Sequence, residues 1–144
     1  MVVAWYVLDP DRLTEAATTA MESQTASNLP ISTSAYSVVE LVYMTEKNKN
    51  GISPEEFSAV MEVLDDRDGP FVVVPVDHSI AATVRSIPRQ FKAEDGATVM
   101  NADPGDRVVV ATAVKHGLSV VTSDSKIHDL STVLGDLDMV WGAA

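Results

Sequence analysis

Carboxylates dominate the chemistry this chain could offer. Asp9 directly follows the apolar run Val2-Val3-Ala4-Trp5-Tyr6-Val7-Leu8 and precedes Pro10. Glu40 lies inside Val38-Val39-Glu40-Leu41-Val42, with no basic residue within one helical turn on either side. Asp103-Pro104-Gly105-Asp106-Arg107 opens a segment that continues Val108-Val109-Val110-Ala111, and Asp124 follows Val120-Val121-Thr122-Ser123. Each acid also has a plain structural reading. Asp9 and Asp103 suit a helix N-cap, Asp106 complements a helix dipole, and Asp124 suits a turn. Glu40 is harder to place, because a carboxylate among apolar neighbours is costly to bury unless paired or bound to a cation.

If these acids converge, like charge and burial would raise their pKa values and destabilise the fold without a neutralising cation. Hard oxygen donors favour Mg²⁺ or Mn²⁺. The chain has no cysteine, and His78, His116 and His128 lack a zinc spacing, so the histidines read as surface or structural residues.

The elements that must position these acids follow from patterning. Leu13, Ala16, Ala17, Ala20 and Met21 recur at helical spacing, and a short strand is expected around Leu29–Ser32. Ser34 caps a helix from Ala35 to Lys47, with an Asn/Lys tail before Gly51. Ser53-Pro54-Glu55-Glu56 is a capping box, and Phe71-Val72-Val73-Val74 is a strand. Asp77 caps a helix that ends by Pro88; residues 89 to 102 read as a loop. Asp103 caps the next helix, Gly117 ends it, and strands follow at Leu118–Thr122 and Asp138–Trp141. The run before Asp9 also reads as a buried strand. Strands alternating with helices predict an α/β fold, a central parallel sheet with helices on both faces, in one domain over residues 1–144. In such sheets ligands bind beyond the carboxyl ends of the strands, where these acids fall.

Composition narrows the partners. Of 144 residues 46% are hydrophobic and 22% charged, which predicts a globule, and no apolar run reaches a membrane-spanning length. The absence of cysteine permits a reducing compartment. The net charge of −11 disfavours gripping nucleic acid by bulk charge. Six methionines fall mostly on helix stripes as core filler.

Taken in order, Asp103-Pro-Gly-Asp106-Arg107, Ala111-Thr112-Ala113, Gly117 and the strand ending Thr122-Ser-Asp124 resemble the C-terminal signature of PIN-domain ribonucleases. Within that group they most resemble the VapC toxins of toxin–antitoxin pairs. Asp9 matches the family's first acid, Glu40 its helix-borne second, and Asp106 and Asp124 its third and fourth. The resemblance spans nearly the whole chain. It implies a PIN-like three-layer fold and a Mg²⁺-dependent (or Mn²⁺-dependent) endoribonuclease in the cytoplasm of a bacterium or archaeon. Asp9 and Asp106 would be direct metal ligands, with Glu40 and Asp124 completing the site; Asp103 and Thr122 are candidates for secondary roles, and Asp11, which matches no family residue, either takes a secondary ligand role or marks a weakened site. The implied partners are an RNA substrate, a VapB-like antitoxin offering a basic segment, and a second copy of the chain. Arg85, Arg89 and Lys92 could touch RNA or an antitoxin carboxylate, although a solvated face explains them too.

One departure stands out. The family usually carries Thr, then Ser or Asn, after its first acid, where this chain has Pro10 and Asp11. Two competing readings follow. Val7-Leu8-Asp9-Pro10-Asp11 resembles the first motif of haloacid-dehalogenase-type phosphatases, with Asp9 as nucleophile and Asp11 as acid/base. Alternatively, the fold is kept as a catalytically weakened binding protein.

Overall fold

The computed structural model describes residues 2–47, 51–93, 95–135 and 137–141. It divides into two compact units, one ending at Pro75 and one running Val76–Trp141.

The first unit begins with helix α1, Val2–Leu8, then a 3-10 turn at Pro10–Arg12 and helix α2, Glu15–Ala26. Strand β1, Ile31–Ser34, leads into α3, Ala35–Thr45; α4, Pro54–Asp65, and β2, Phe71–Val74, complete the unit. The strand expected before Asp9 is therefore a helix. A short apolar run has no period that separates strand from helix, so packing decides. Here α1 lies against α4, and the Tyr6 ring meets Phe71 edge-on with centroids 5.1 Å apart. β1 and β2 pair in parallel from Ile31↔Phe71 to Ser34↔Val74. Ser34 accepts the Tyr36 N–H, and the capping box is complete: Ser53 Oγ accepts the Glu56 N–H at 3.1 Å while Glu56 Oε2 accepts the Ser53 N–H at 2.7 Å. The Asn/Lys tail at 48–50 lies outside the described residues.

The second unit holds α5, His78–Val84; β3, Gln90–Lys92; β4, Val99–Asn101; α6, Pro104–His116; β5, Val120–Val121; α7, Ser125–Leu134; and β6, Met139–Val140. β5 and β6 are parallel, and β3 and β4 form an antiparallel hairpin where a loop was expected. The turn follows from one side chain: Asp95 accepts the N–H groups of Ala97 and Thr98 and the Thr98 hydroxyl, while Gly96 takes φ 67°. Helix α7 was also not anticipated, although Ile127, Leu130 and Leu134 carry its spacing. The α/β class holds, with parallel pairing across both crossovers; among the described residues each sheet has two strands.

Helix α6 is the spine of this unit. Val110, Ala111, Thr112 and Ala113 are all buried, and the small side chains let α5 lie close along it. Thr112 turns its hydroxyl back onto the Val108 carbonyl at 2.8 Å, so its polar atom is satisfied inside the core. Ile80, Ile87, Phe91, Val120 and Leu130 fill the remainder. Asp103 caps α6 with Pro104 at its first position, and Gly117 closes it at φ 62°, a left-handed backbone that glycine adopts without a Cβ penalty.

One helix cap and one turn of this unit are built on carboxylates. The Ile80 N–H, then the Ser79 hydroxyl, hold Asp77 below its usual 3.8, and the Thr98 hydroxyl and N–H do the same for Asp95. A carboxyl lowered in the folded state adds stability that is complete above its unfolded value and lost as pH falls through the lowered value. We expect the Asp77→Asn/Asp95→Asn double variant to have a lower denaturant midpoint than the native chain at about pH 6, and the gap to narrow as the pH falls below the usual carboxylate range and through the lowered values of the native acids. A gap that does not change with pH would contradict this origin.

Candidate active site

The acids sort by unit. In the first, Asp9 joins the end of α1 to the 3-10 turn: its N–H donates to the Trp5 carbonyl at 2.9 Å and its carbonyl accepts the Arg12 N–H at 3.1 Å. Its side chain makes no cap bond, and Thr14 caps α2 by accepting the Ala17 N–H. Asp9 and Asp11 are both exposed, and the Arg12 guanidinium lies 4.5 Å above the Trp5 ring centroid, bracing the turn. The strand expected before Asp9, on which the match to the family's first acid also relied, is thus replaced by α1. Glu40 lies midway along α3 and is half-buried. Leu41 beside it is in the core while Val39 and Val42 face outward, so the helix is less enclosed than its sequence implied.

In the second unit, Asp103 and Asp106 share the first turn of α6. Asp103 Oδ1 accepts the Gly105 N–H at 2.8 Å, which commits that oxygen to the cap. Asp106, at the third helical position, is half-buried. Arg107 turns towards α5 and caps its C-terminal end. Nε donates to the Ile87 carbonyl at 3.1 Å, and Nη2 donates to Val84 at 2.8 Å and Ile87 at 2.9 Å. The arginine of the sequence signature is therefore a brace between helices. A lysine has no planar fork to repeat that arrangement.

Asp124 stands at the junction of β5 and α7. It caps α7 through Oδ1, which accepts the Lys126 N–H at 2.8 Å, and its own N–H donates to Thr122 Oγ1 at 3.1 Å. The turn reading of Asp124 was incomplete, because the helix it starts was not expected. Thr122 orients the acid through its hydroxyl, and His128 Nε2 reaches the Thr122 carbonyl at 2.9 Å. His78 and His116 are exposed. Within each unit, among the described residues, no three His, Asp or Glu side chains form a group able to hold a metal. Arg85, Arg89 and Lys92 are exposed at the end of α5 and along β3, where Gln90 bonds Asn101 across the hairpin at 3.1 Å.

The comparisons with known proteins agree in direction. The PIN-domain family profile matches residues 2–132. Ribonuclease VapC22 of Mycobacterium tuberculosis is 28% identical over 127 residues, covering 88% of this chain and 85% of that protein. A crystal structure of VapBC2 from Rickettsia felis, bound to a DNA fragment from their promoter, superposes with a TM-score of 0.63 at 14% identity, over 96% of this chain and 92% of that one. The last likeness is one of fold. No helix among the described residues is long and apolar enough to cross a membrane.

Arg107 allows a test of the α6 start that needs no substrate. Arg107→Lys keeps the charge and removes the fork, leaving carbonyls at the end of α5 under-satisfied. Urea denaturation should show a loss of about 1–3 kcal/mol. A loss near zero would mean that water replaces the fork without cost.

Proposed function

Because this chain belongs to the PIN-domain family, we propose that it is a divalent-metal-dependent endoribonuclease of the VapC type, the toxin of a toxin–antitoxin pair. The observation that carries this reading is the family match over residues 2–132, which takes in Asp9, Glu40, Asp106 and Asp124 together. Their local settings support it. Asp106 lies at the start of α6 and Asp124 at the strand-to-helix junction of β5 and α7, the kind of place where α/β folds present ligands.

The donor chemistry suits Mg²⁺ or Mn²⁺. All four side chains offer carboxylate oxygens, the sequence has no thiol, and its histidines fall on three separate helices. In this reading Asp9 and Asp106 hold the ion directly, and Glu40 and Asp124 complete the site. When bound, the ion supplies neutralising charge, polarisation of a phosphate oxygen and activation of the attacking water. The protein's own part is placement. Asp103 commits Oδ1 to the cap, Asp106 is the acid of that turn this reading assigns to the ion, and Thr122 fixes the backbone of Asp124. Asp11, in the turn beside Asp9, takes an outer role in place of the hydroxyl usual in the family.

This arrangement also fits the charge of −11. Cation at the reacting phosphate replaces a broad basic footprint, with Arg85, Arg89 and Lys92 as the exposed groups for RNA backbone or an antitoxin carboxylate. The acidic surface suits a VapB-like antitoxin with a basic segment. Action in the cytoplasm and a homodimeric state belong to the same reading.

Metal binding tests it. At about 100 times the dissociation constant, Mg²⁺ or Mn²⁺ should stabilise the fold by about 2.7 kcal/mol, and chelation should stop RNA cleavage. Asp106→Asn should remove most of that gain. Glu40→Gln should abolish cleavage while metal-free stability holds or rises, since like-charge repulsion is relieved. Retention of the full metal gain in Asp106→Asn would reduce Asp106 to a helix-start residue, and metal-independent behaviour throughout would favour a binding protein.

A further inference from the structure

We propose that His128 is a positioning residue for Asp124, an inference that rests on the metal-dependent reading above. A carbonyl oxygen only accepts, so the His128 ring bonded to Thr122 at 2.9 Å carries its proton on Nε2 and donates it. That bond runs backward across the start of α7, from its first turn to the residue two before the cap. The main chain of His128 grips the other side: its N–H donates to the Asp124 carbonyl at 3.2 Å, beside the Ile127 N–H at 3.1 Å. One residue therefore holds both flanks of Asp124.

The place of this grip matters. The β5–β6 ladder pairs Val120 with Met139 and Val121 with Val140, and Thr122 lies one residue beyond it. The ring extends the order of the strand past its last ladder pair. Thr122 passes that order on, because its Oγ1 accepts the Asp124 N–H at 3.1 Å. Asp124 Oδ1 is bound to the Lys126 N–H at 2.8 Å, so the direction of Oδ2 follows from the backbone of residues 124–126, which residues 122–124 lead into. Binding constellations tolerate only about 0.5 Å of drift, and that segment is what His128 fixes. His128 is itself anchored, since the Ser131 hydroxyl donates to its carbonyl at 2.7 Å. With Nε2 spent on a carbonyl, the ring's part is to hold this loop.

The test compares the full-length native chain with His128→Leu, which removes the donor, and His128→Gln, whose amide restores one at similar reach. Mn²⁺ affinity is read by calorimetry, single-turnover RNA cleavage by rate, and metal-free melting by Tm. His128→Leu should lower Mn²⁺ affinity and cleavage rate by about 10–100-fold, as for other groups that orient metal ligands, with RNA affinity little changed. His128→Gln should recover most of both. If the Leu variant does not fold, His128→Phe makes the same comparison with the ring shape kept. Leu and Gln variants that lose Tm equally while keeping native Mn²⁺ affinity would overturn the proposal. The native chain reports separately on the function. If it binds Mn²⁺ but cuts no RNA, the ribonuclease reading fails while calorimetry still decides the role of His128; if it binds no Mn²⁺, both fail.

Discussion

A helix start leaves backbone N–H groups without helical acceptors, and in this chain the side chains that satisfy them also shape the proposed chemistry. Ser34 caps the helix that carries Glu40, Asp103 the helix that carries Asp106, and Asp124 is itself a cap. An acid at a cap is held in direction by the N–H it accepts. At α7 the bond that starts the helix therefore also fixes where its acid can point, while at α3 and α6 the cap fixes the helix that carries the acid. Cap loss and site loss are linked at Asp124, and separate at Asp106, whose turn is capped by its neighbour.

The second unit shows how packing serves this arrangement. Buried Ala111, Thr112 and Ala113 allow α5 to approach α6, and Arg107 then satisfies the carbonyls where α5 ends. The signature that reads as catalytic in sequence thus divides by task. Asp103 and Arg107 start and brace the helix, the small buried residues seat it, and Asp106 is the acid of this turn that the proposed reading assigns to the ion. Such a division explains why an acidic motif opens so apolar a helix.

Much of this was legible because capping is local. Ser53 with Glu56, Asp77, Asp103 with Pro104, and Gly117 each announce a boundary through chemistry within three or four residues, and the structure places all of them as read. The segment before Asp9 was misread because its apolar side chains fit either period, and contacts with α4 and Phe71 decided for helix. The β3–β4 hairpin was missed because its strands are three residues long, too short to show alternation. Asp95-Gly96 was nevertheless a turn signal. Helix α7 is less legible for a different reason: Asp124 serves a turn and a helix N-cap equally well, and Ile127, Leu130 and Leu134 offer few apolar positions to mark the helix behind it. For the acids, local settings could be inferred but mutual distances could not, because spacing along a chain carries no distance between elements.

In the proposed reading Asp9 and Asp106 hold one divalent ion. Anomalous diffraction from crystals of the native chain grown with Mn²⁺ addresses it directly. The account predicts an anomalous peak within about 2.0–2.3 Å of carboxylate oxygens from both residues, with Glu40 and Asp124 around it. A peak held by other side chains, or Asp9 and Asp106 found on different ions, would contradict it.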